Sequence, residues 1–205
     1  MRSDSFREQV MKDERVFVPV GSQTVGPYFH LGLVRGGSDA GRLAGSDANG
    51  EHIRLAILVL DAEGAGIPDA MIELWQADSN GKYNHPDDLQ DKAPDPRFRG
   101  YGRLPTDKNG RLTFETVRPG RVPGIEGALQ APHINVHIFS RGILRHVSTR
   151  IYFAGEPTNA DDAILRLVPT ARRDTLMARP DPQHPGTWTI DFRMCGEGET
   201  VFFDV

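Results

Sequence analysis

The chain has 205 residues, enough for one domain with a sizeable core, and its net charge of −4 comes without the basic stripe that nucleic acid requires. A single cysteine, Cys195, excludes an internal disulfide framework. No run of about 18 apolar residues is present, so no membrane span is expected, and the charged first dozen residues lack a signal-peptide stretch, which leaves the cytoplasm as the default location.

Residues 1–20 read as an N-terminal tail with a helical turn or two, and residues 21–205 as one domain. From Gly21 to His30 the chain is kept irregular by Pro27, which fixes its own φ and turns Gly26 away from helix. Residues 35–50 are glycine-rich loop. Residues 53–60, Ile-Arg-Leu-Ala-Ile-Leu-Val-Leu, are nearly continuously apolar and predict a strand of a sandwich core. After a turn over residues 61–68, the alternation of Ile72, Leu74 and Gln76 predicts a second strand over residues 70–77. Asp78-Ser79-Asn80-Gly81 is a turn cluster. Residues 82–105 are long, polar and rich in Pro, Asp and Gly, the signature of a loop that is functional or disordered.

Asn109-Gly110 marks a hairpin turn, followed by a strand in which Leu112, Phe114 and Thr116 alternate. A second loop spans residues 118–132. Strands over residues 133–140 and 144–153 are joined by a turn at Arg141-Gly142. Helix is confined to about residues 159–178: Thr158 or Asn159 can cap it, Asp161 and Asp162 suit its first turn, and Pro169 divides it. Strands over residues 187–194 and 200–204 end the chain, with Cys195 expected to pack beside the last. The fold predicted is mainly β: an antiparallel β-sandwich with long loops and one or two short helices before the last strands.

Several side chains have chemistry to offer. Tyr83 and His85 lie at the mouth of the first long loop; a phenolate and an imidazole can bind iron, and the alternative is that Tyr83 packs under the loop while His85 is solvated. On a strand, His133, Asn135 and His137 share one face. The nearer pair is His and Asn, and an amide is a poor replacement for imidazole on iron. His133 and His137 would stand about 13 Å apart, too far to share one ion. The rigid segment around Thr24, Gly26, Pro27 and Tyr28 suits a pocket wall or a packed lead-in. Arg141 offers a fork of donors to a carboxylate, or is simply solvated.

The ordered set Thr24-Val25-Gly26-Pro27-Tyr28, Glu73-Leu74-Trp75-Gln76-Ala77-Asp78, Gly81-Lys82-Tyr83, Gly102-Arg103, Thr106-Asp107, Val117-Arg118-Pro119-Gly120, Ala131-Pro132-His133-Ile134-Asn135 and Gly196-Glu197-Gly198-Glu199-Thr200-Val201-Phe202-Phe203-Asp204 resembles the intradiol ring-cleaving dioxygenases, most closely their protocatechuate-cleaving α-type subunits. The likeness runs from about Ser22 to the end of the chain. It implies a complex that opens protocatechuate with O2 to 3-carboxy-cis,cis-muconate, on a non-haem Fe(III) held by two tyrosines and two histidines. Tyr83 matches the first tyrosine and His133 the first histidine; Val122 and Asn135 stand where the second of each is expected, and Gln130 stands where the catalytic chain has an arginine. The resemblance therefore implies no catalytic or metal-ligating residue in this chain. It implies Fe(III) on a partner β subunit, and a substrate-lining role here for Thr24, Gly26, Pro27, Tyr28 and Arg141. Phe29, Leu31 and Leu33 are candidates for the interface with that partner, or for core. Two rival readings are a self-sufficient metalloenzyme that recruits Tyr101 or His137, and a non-catalytic β-sandwich binding or scaffold module.

Overall fold

The structure, a computed structural model, describes residues 21–26, 32–33, 40–124 and 127–204. Among the described residues ten strands form: β1 (His52–Leu60), β2 (Met71–Trp75), β3 (Tyr101–Pro105), β4 (Arg111–Val117), β5 (Val122–Pro123), β6 (Leu129–Gln130), β7 (His133–Phe139), β8 (Val147–Phe153), β9 (Met177–Pro180) and β10 (Thr187–Arg193). The predicted mainly-β sandwich is what forms. Eight strands make one sheet in the order β3-β2-β7-β8-β9-β10-β1-β4, and β5 and β6 form a separate small hairpin. Most neighbours are antiparallel, but β1 pairs with β10 and β8 with β9 in parallel, so the sheet is mixed.

β9 joins the two halves of the sandwich. It pairs with β8 through Tyr152↔Met177 and Phe153↔Ala178, and with β10 through Trp188↔Pro180 and Thr189↔Arg179. Between the halves lies one apolar interior. β1 contributes Ile53, Leu55, Ile57 and Val59; β7 contributes Ile134, Val136 and Ile138; β10 contributes Trp188, Ile190 and Phe192. The period of two along each strand is what puts these residues on one face. Burying each such side chain contributes roughly 1.5–3 kcal/mol.

The turn predicted at Asn109-Gly110 forms as expected. Asp107 Oδ1 accepts from the amides of Asn109 and Arg111, both at 2.8 Å, and Gly110 takes φ +76°. Five expectations change. The loop of residues 82–105 ends in a strand, β3, whose pattern is masked by Gly102 and Pro105; it forms because β2 offers it a full antiparallel partner. The loop of residues 118–132 contains the β5–β6 hairpin, too short to leave a periodic signal. Strand β8 begins at Val147 rather than residue 144. The strand expected over residues 200–204 reduces to one bridge, Ser148↔Phe203. Cys195 is exposed in the turn after β10 rather than packed.

The predicted helical stretch is a 3-10 turn (Pro157–Asp161), one short α-helix, α1 (Ala163–Leu167), and a second 3-10 segment (Thr170–Leu176). Asp162 caps α1 rather than lying in its first turn: its side chain accepts from the amides of Ile164 and Leu165. No helix among the described residues is long and apolar enough to cross a membrane.

Candidate functional site

Strand alternation that turns Ile134, Val136 and Ile138 inward turns His133, Asn135 and His137 to the opposite face of β7. The neighbours in register extend this outer face: Trp75 and Glu73 on β2, Tyr101 and Arg103 on β3, Arg150 and Tyr152 on β8. The loop after β2 brings Tyr83 onto it. Asp78 Oδ1 accepts from the amides of Asn80 and Lys82, both at 2.9 Å, and Gly81 between them has φ +75°. A Cβ on Gly81 would also collide with the carbonyl of Arg121, so only glycine fits. Beyond it, buried Lys82 donates to the carbonyls of Asp88 and Gln90 and pairs with the Asp88 carboxylate. The Asp88 carboxylate in turn accepts from the Tyr83 amide at 2.7 Å.

So fixed, the Tyr83 ring stacks on Trp75 with centroids 5.8 Å apart, and His85 meets Trp75 edge-on at 5.9 Å. The side chains of Trp75, Tyr83, His85, Leu89, Val122 and Pro123 border an open cavity of about 420 Å³. Asn135 Nδ2 donates to the Tyr83 hydroxyl at 3.4 Å. Burial raises the Tyr83 phenol above its ordinary value, against the opposing hydrogen bond from Asn135 and the charge of Arg150.

His133 is buried at 3% exposure, and its Nδ1–H donates to the Ala131 carbonyl at 2.8 Å. Burial first, then the positive charge of Arg150, lowers its pKa to about 4. Unfolding returns it toward 6.5, so the unfolded chain takes up a proton that the folded chain refuses between those values. Stability is therefore complete above about pH 6.5 and falls as pH drops toward 4; the His133 contribution is a loss of about 2 kcal/mol by pH 5. Urea melts at pH 7.5 and pH 5 are expected to differ less in His133→Gln than in the wild type. An equal difference in both would place the acid sensitivity elsewhere.

The four positions at which the resemblance expects iron ligands carry a phenol (Tyr83), an imidazole (His133), an amide (Asn135) and an isopropyl group (Val122, buried on β5). One phenolate and one imidazole leave a ferric ion short of half its protein donors. Among the described residues no cluster of three or more His, Cys, Asp or Glu could hold a metal. The donor set does not fit a resident ferric ion.

The second group of predicted residues lies at the β7–β8 turn. Thr24 Oγ1 accepts from the Gly142 amide at 2.9 Å, so the N-terminal segment and the Arg141-Gly142 turn are brought together across 118 residues of sequence. Thr24, Gly26 and Arg141 are all exposed. Pro27 and Tyr28 lie outside the described residues, as do Phe29 and Leu31; Leu33 is 42% exposed. Leu33 gives its carbonyl to Arg103 Nη1 at 3.1 Å, and Arg103 pairs with Glu73.

Sequence reasoning missed the polar chain behind the degenerate site. Arg150 Nη1 donates to Gln130 Oε1 at 2.7 Å and reaches the Tyr152 hydroxyl at 3.4 Å; that hydroxyl donates to Asp162 Oδ1 at 3.0 Å. Burial, mainly, pushes the Tyr152 phenol upward. The signal was available: alternation along β8 puts Arg150 and Tyr152 on the face of His133 and Asn135.

Comparison with known proteins adds a lineage to this geometry. A dioxygenase family model matches residues 25–194. The protocatechuate 3,4-dioxygenase alpha chain of Burkholderia cepacia is 44% identical over 196 residues, covering 90% of this chain and 96% of that one. The beta chain from the same organism is 37% identical over 132 residues, covering 63% of this chain and 56% of that one. Among solved structures, the dioxygenase domain of a carbohydrate-binding fusion protein from Streptomyces sp. SirexAA-E superposes with a TM-score of 0.58 at 25% identity, covering 78% of this chain and 88% of that one.

Proposed function

The chain belongs to the intradiol dioxygenase family, and on that premise we propose that it is the α-type subunit of a protocatechuate 3,4-dioxygenase whose ferric iron is held by a β-type partner. The family is one of non-haem iron enzymes, and relatives of this chain include both alpha and beta chains. One observation carries the division of labour: the four ligand positions here read Tyr83, Val122, His133 and Asn135, a set that cannot retain Fe(III). Ring opening of protocatechuate by O2 to 3-carboxy-cis,cis-muconate is then chemistry of the partner's site.

The contribution of this chain is the pocket's far wall. The resemblance gives Thr24, Gly26, Pro27, Tyr28 and Arg141 the role of lining the substrate. The contact between Thr24 and Gly142 supports this grouping, because it ties the segment to the turn that carries the arginine. Arg141 is exposed, and its guanidinium attracts the substrate carboxylate by charge. The scaffold-module alternative is not favoured, since the 44% identity covers 90% of the chain and 96% of a catalytic complex's alpha chain.

The direct test is metal analysis of the chain purified alone and with its β-type partner. Well below one iron per chain is expected alone, and one iron per α–β pair in the complex. A tightly held iron with ring-opening turnover in the isolated chain would overturn the proposal. Within the complex, Tyr83→Phe is expected to leave the iron content unchanged and the visible tyrosinate-to-iron band intact. A fall in either would make Tyr83 a ligand.

A further inference from the structure

We propose that Arg150 is a built-in cation standing where the family places its metal, and that its fixed charge, beyond the missing ligands, keeps this site closed to metal ions. The inference rests on the reading that iron belongs to the partner chain, and goes beyond it by naming what occupies the site here.

The placement comes from register and hydrogen bonding. Asn135 pairs directly with Arg150 across β7 and β8, and His133 with Tyr152, so all four side chains share one face. Val122 pairs with Gln130 across β5 and β6, and Gln130 Oε1 accepts from Arg150 Nη1 at 2.7 Å. Tyr83 is reached through Asn135, whose Nδ2 donates to its hydroxyl at 3.4 Å. Each of the four degenerate positions is therefore linked to Arg150 by a strand pairing or through one intervening side chain.

The charge has no carboxylate in direct contact among the described residues. Among the described residues Arg150 forms no ion pair, and its described side-chain partners are the neutral oxygens of Gln130 and Tyr152. A guanidinium cannot shed its proton. The nearest link to a carboxylate runs through the Tyr152 hydroxyl to Asp162, which is fully buried. Gln130 and Tyr152 hold the head group in a half-buried setting, where charges are poorly screened. A trivalent ion entering beside it meets repulsion that restored ligands must overcome. The same positive charge does the metal's packing work: it gives the amide oxygen of Gln130 and the phenol oxygen of Tyr152 a common donor.

The test uses the assembled complex. Val122→Tyr with Asn135→His restores the four-ligand set. Each complex is reconstituted anaerobically with ferrous ammonium sulfate, exposed to air and desalted, and iron is counted per α–β pair beside the tyrosinate-to-iron absorption. The double variant is expected to stay at one iron per pair. Adding Arg150→Gln is expected to bring it toward two, with a second absorption band. Adding Arg150→Lys, which keeps the charge, is expected to leave it at one. Elution as the complex and turnover at the partner's site report folding in every case, and Arg150→Met serves as the neutral variant if the glutamine packs badly. A second iron in the double or lysine variant overturns the proposal. So does a single iron in both neutral variants when the complex is assembled and active. Two irons per pair in the wild type would instead overturn the reading that this chain is iron-free.

Discussion

Replacing Asp162 with alanine lowers the melting temperature of the chain by about 10 °C. The carboxylate is fully buried and is the shared acceptor of a junction: the amides of Ala131, Ile164 and Leu165 and the hydroxyl of Tyr152 all donate to it. It thereby caps α1 and anchors the entry to β7. Alanine leaves those donors buried without an acceptor, at about 1–3 kcal/mol for each one that water cannot reach. Partial relaxation brings the expected total to roughly 3–5 kcal/mol, the range for breaking a buried charged network. In a chain of this size each kcal/mol moves the midpoint by about 2–4 °C. Asp162→Asn keeps an acceptor oxygen and is expected to lose less than half as much. Differential scanning calorimetry decides it, and a shift of only about a degree in the alanine variant would show that the junction is held by packing alone.

Arg141→Ala in the complex raises KM for protocatechuate by about tenfold to a hundredfold, the worth of a charge-assisted hydrogen bond of roughly 1.5–3 kcal/mol. The iron content is expected to stay at one per α–β pair and kcat to change by no more than about twofold, because the loss is in binding and not in the reacting centre. The wild-type KM should rise with ionic strength and that of the variant should not, since salt screens an exposed guanidinium. Thr24→Ala removes the acceptor for the Gly142 amide and is expected to raise KM by a smaller factor, by loosening the turn. An unchanged KM in Arg141→Ala would put this residue outside the substrate pocket.

The strands were readable wherever burial leaves an apolar run or an alternating pattern. Residues 53–60 declare themselves by a nearly continuous apolar run, and residues 133–139 by alternate apolar side chains that enter the shared core. β3 did not, because Gly102 and Pro105 are poor strand formers and the strand exists only through its pairing with β2. β9 is equally silent: four residues, Met-Ala-Arg-Pro, become strand because β8 and β10 leave a gap of that width. At the site, the four decisive positions could be compared one by one in the sequence. Arg150 could not be weighed, since its meaning depends on pairing with Asn135 and on the neutral oxygens around it. The same holds for Asp162, which looks like an ordinary helix-start acid until strand β7 and Tyr152 are placed beside it.

The sheet order has a bearing on how the chain can associate. With β9 stitched between β8 and β10, the outer strands of the eight-stranded sheet among the described residues are β3 and β4. One short segment bridges the two: the Leu43 amide donates to the Glu115 carbonyl of β4, while the Leu43 carbonyl accepts from Arg99 and Gly100 just before β3. An exposed strand border can template a foreign strand, the route by which β proteins aggregate, and this segment interrupts the β4 border at Glu115. A subunit that approached this fold through a sheet face would meet side chains, and the specificity of such a contact could be tuned by mutation without reopening the sheet.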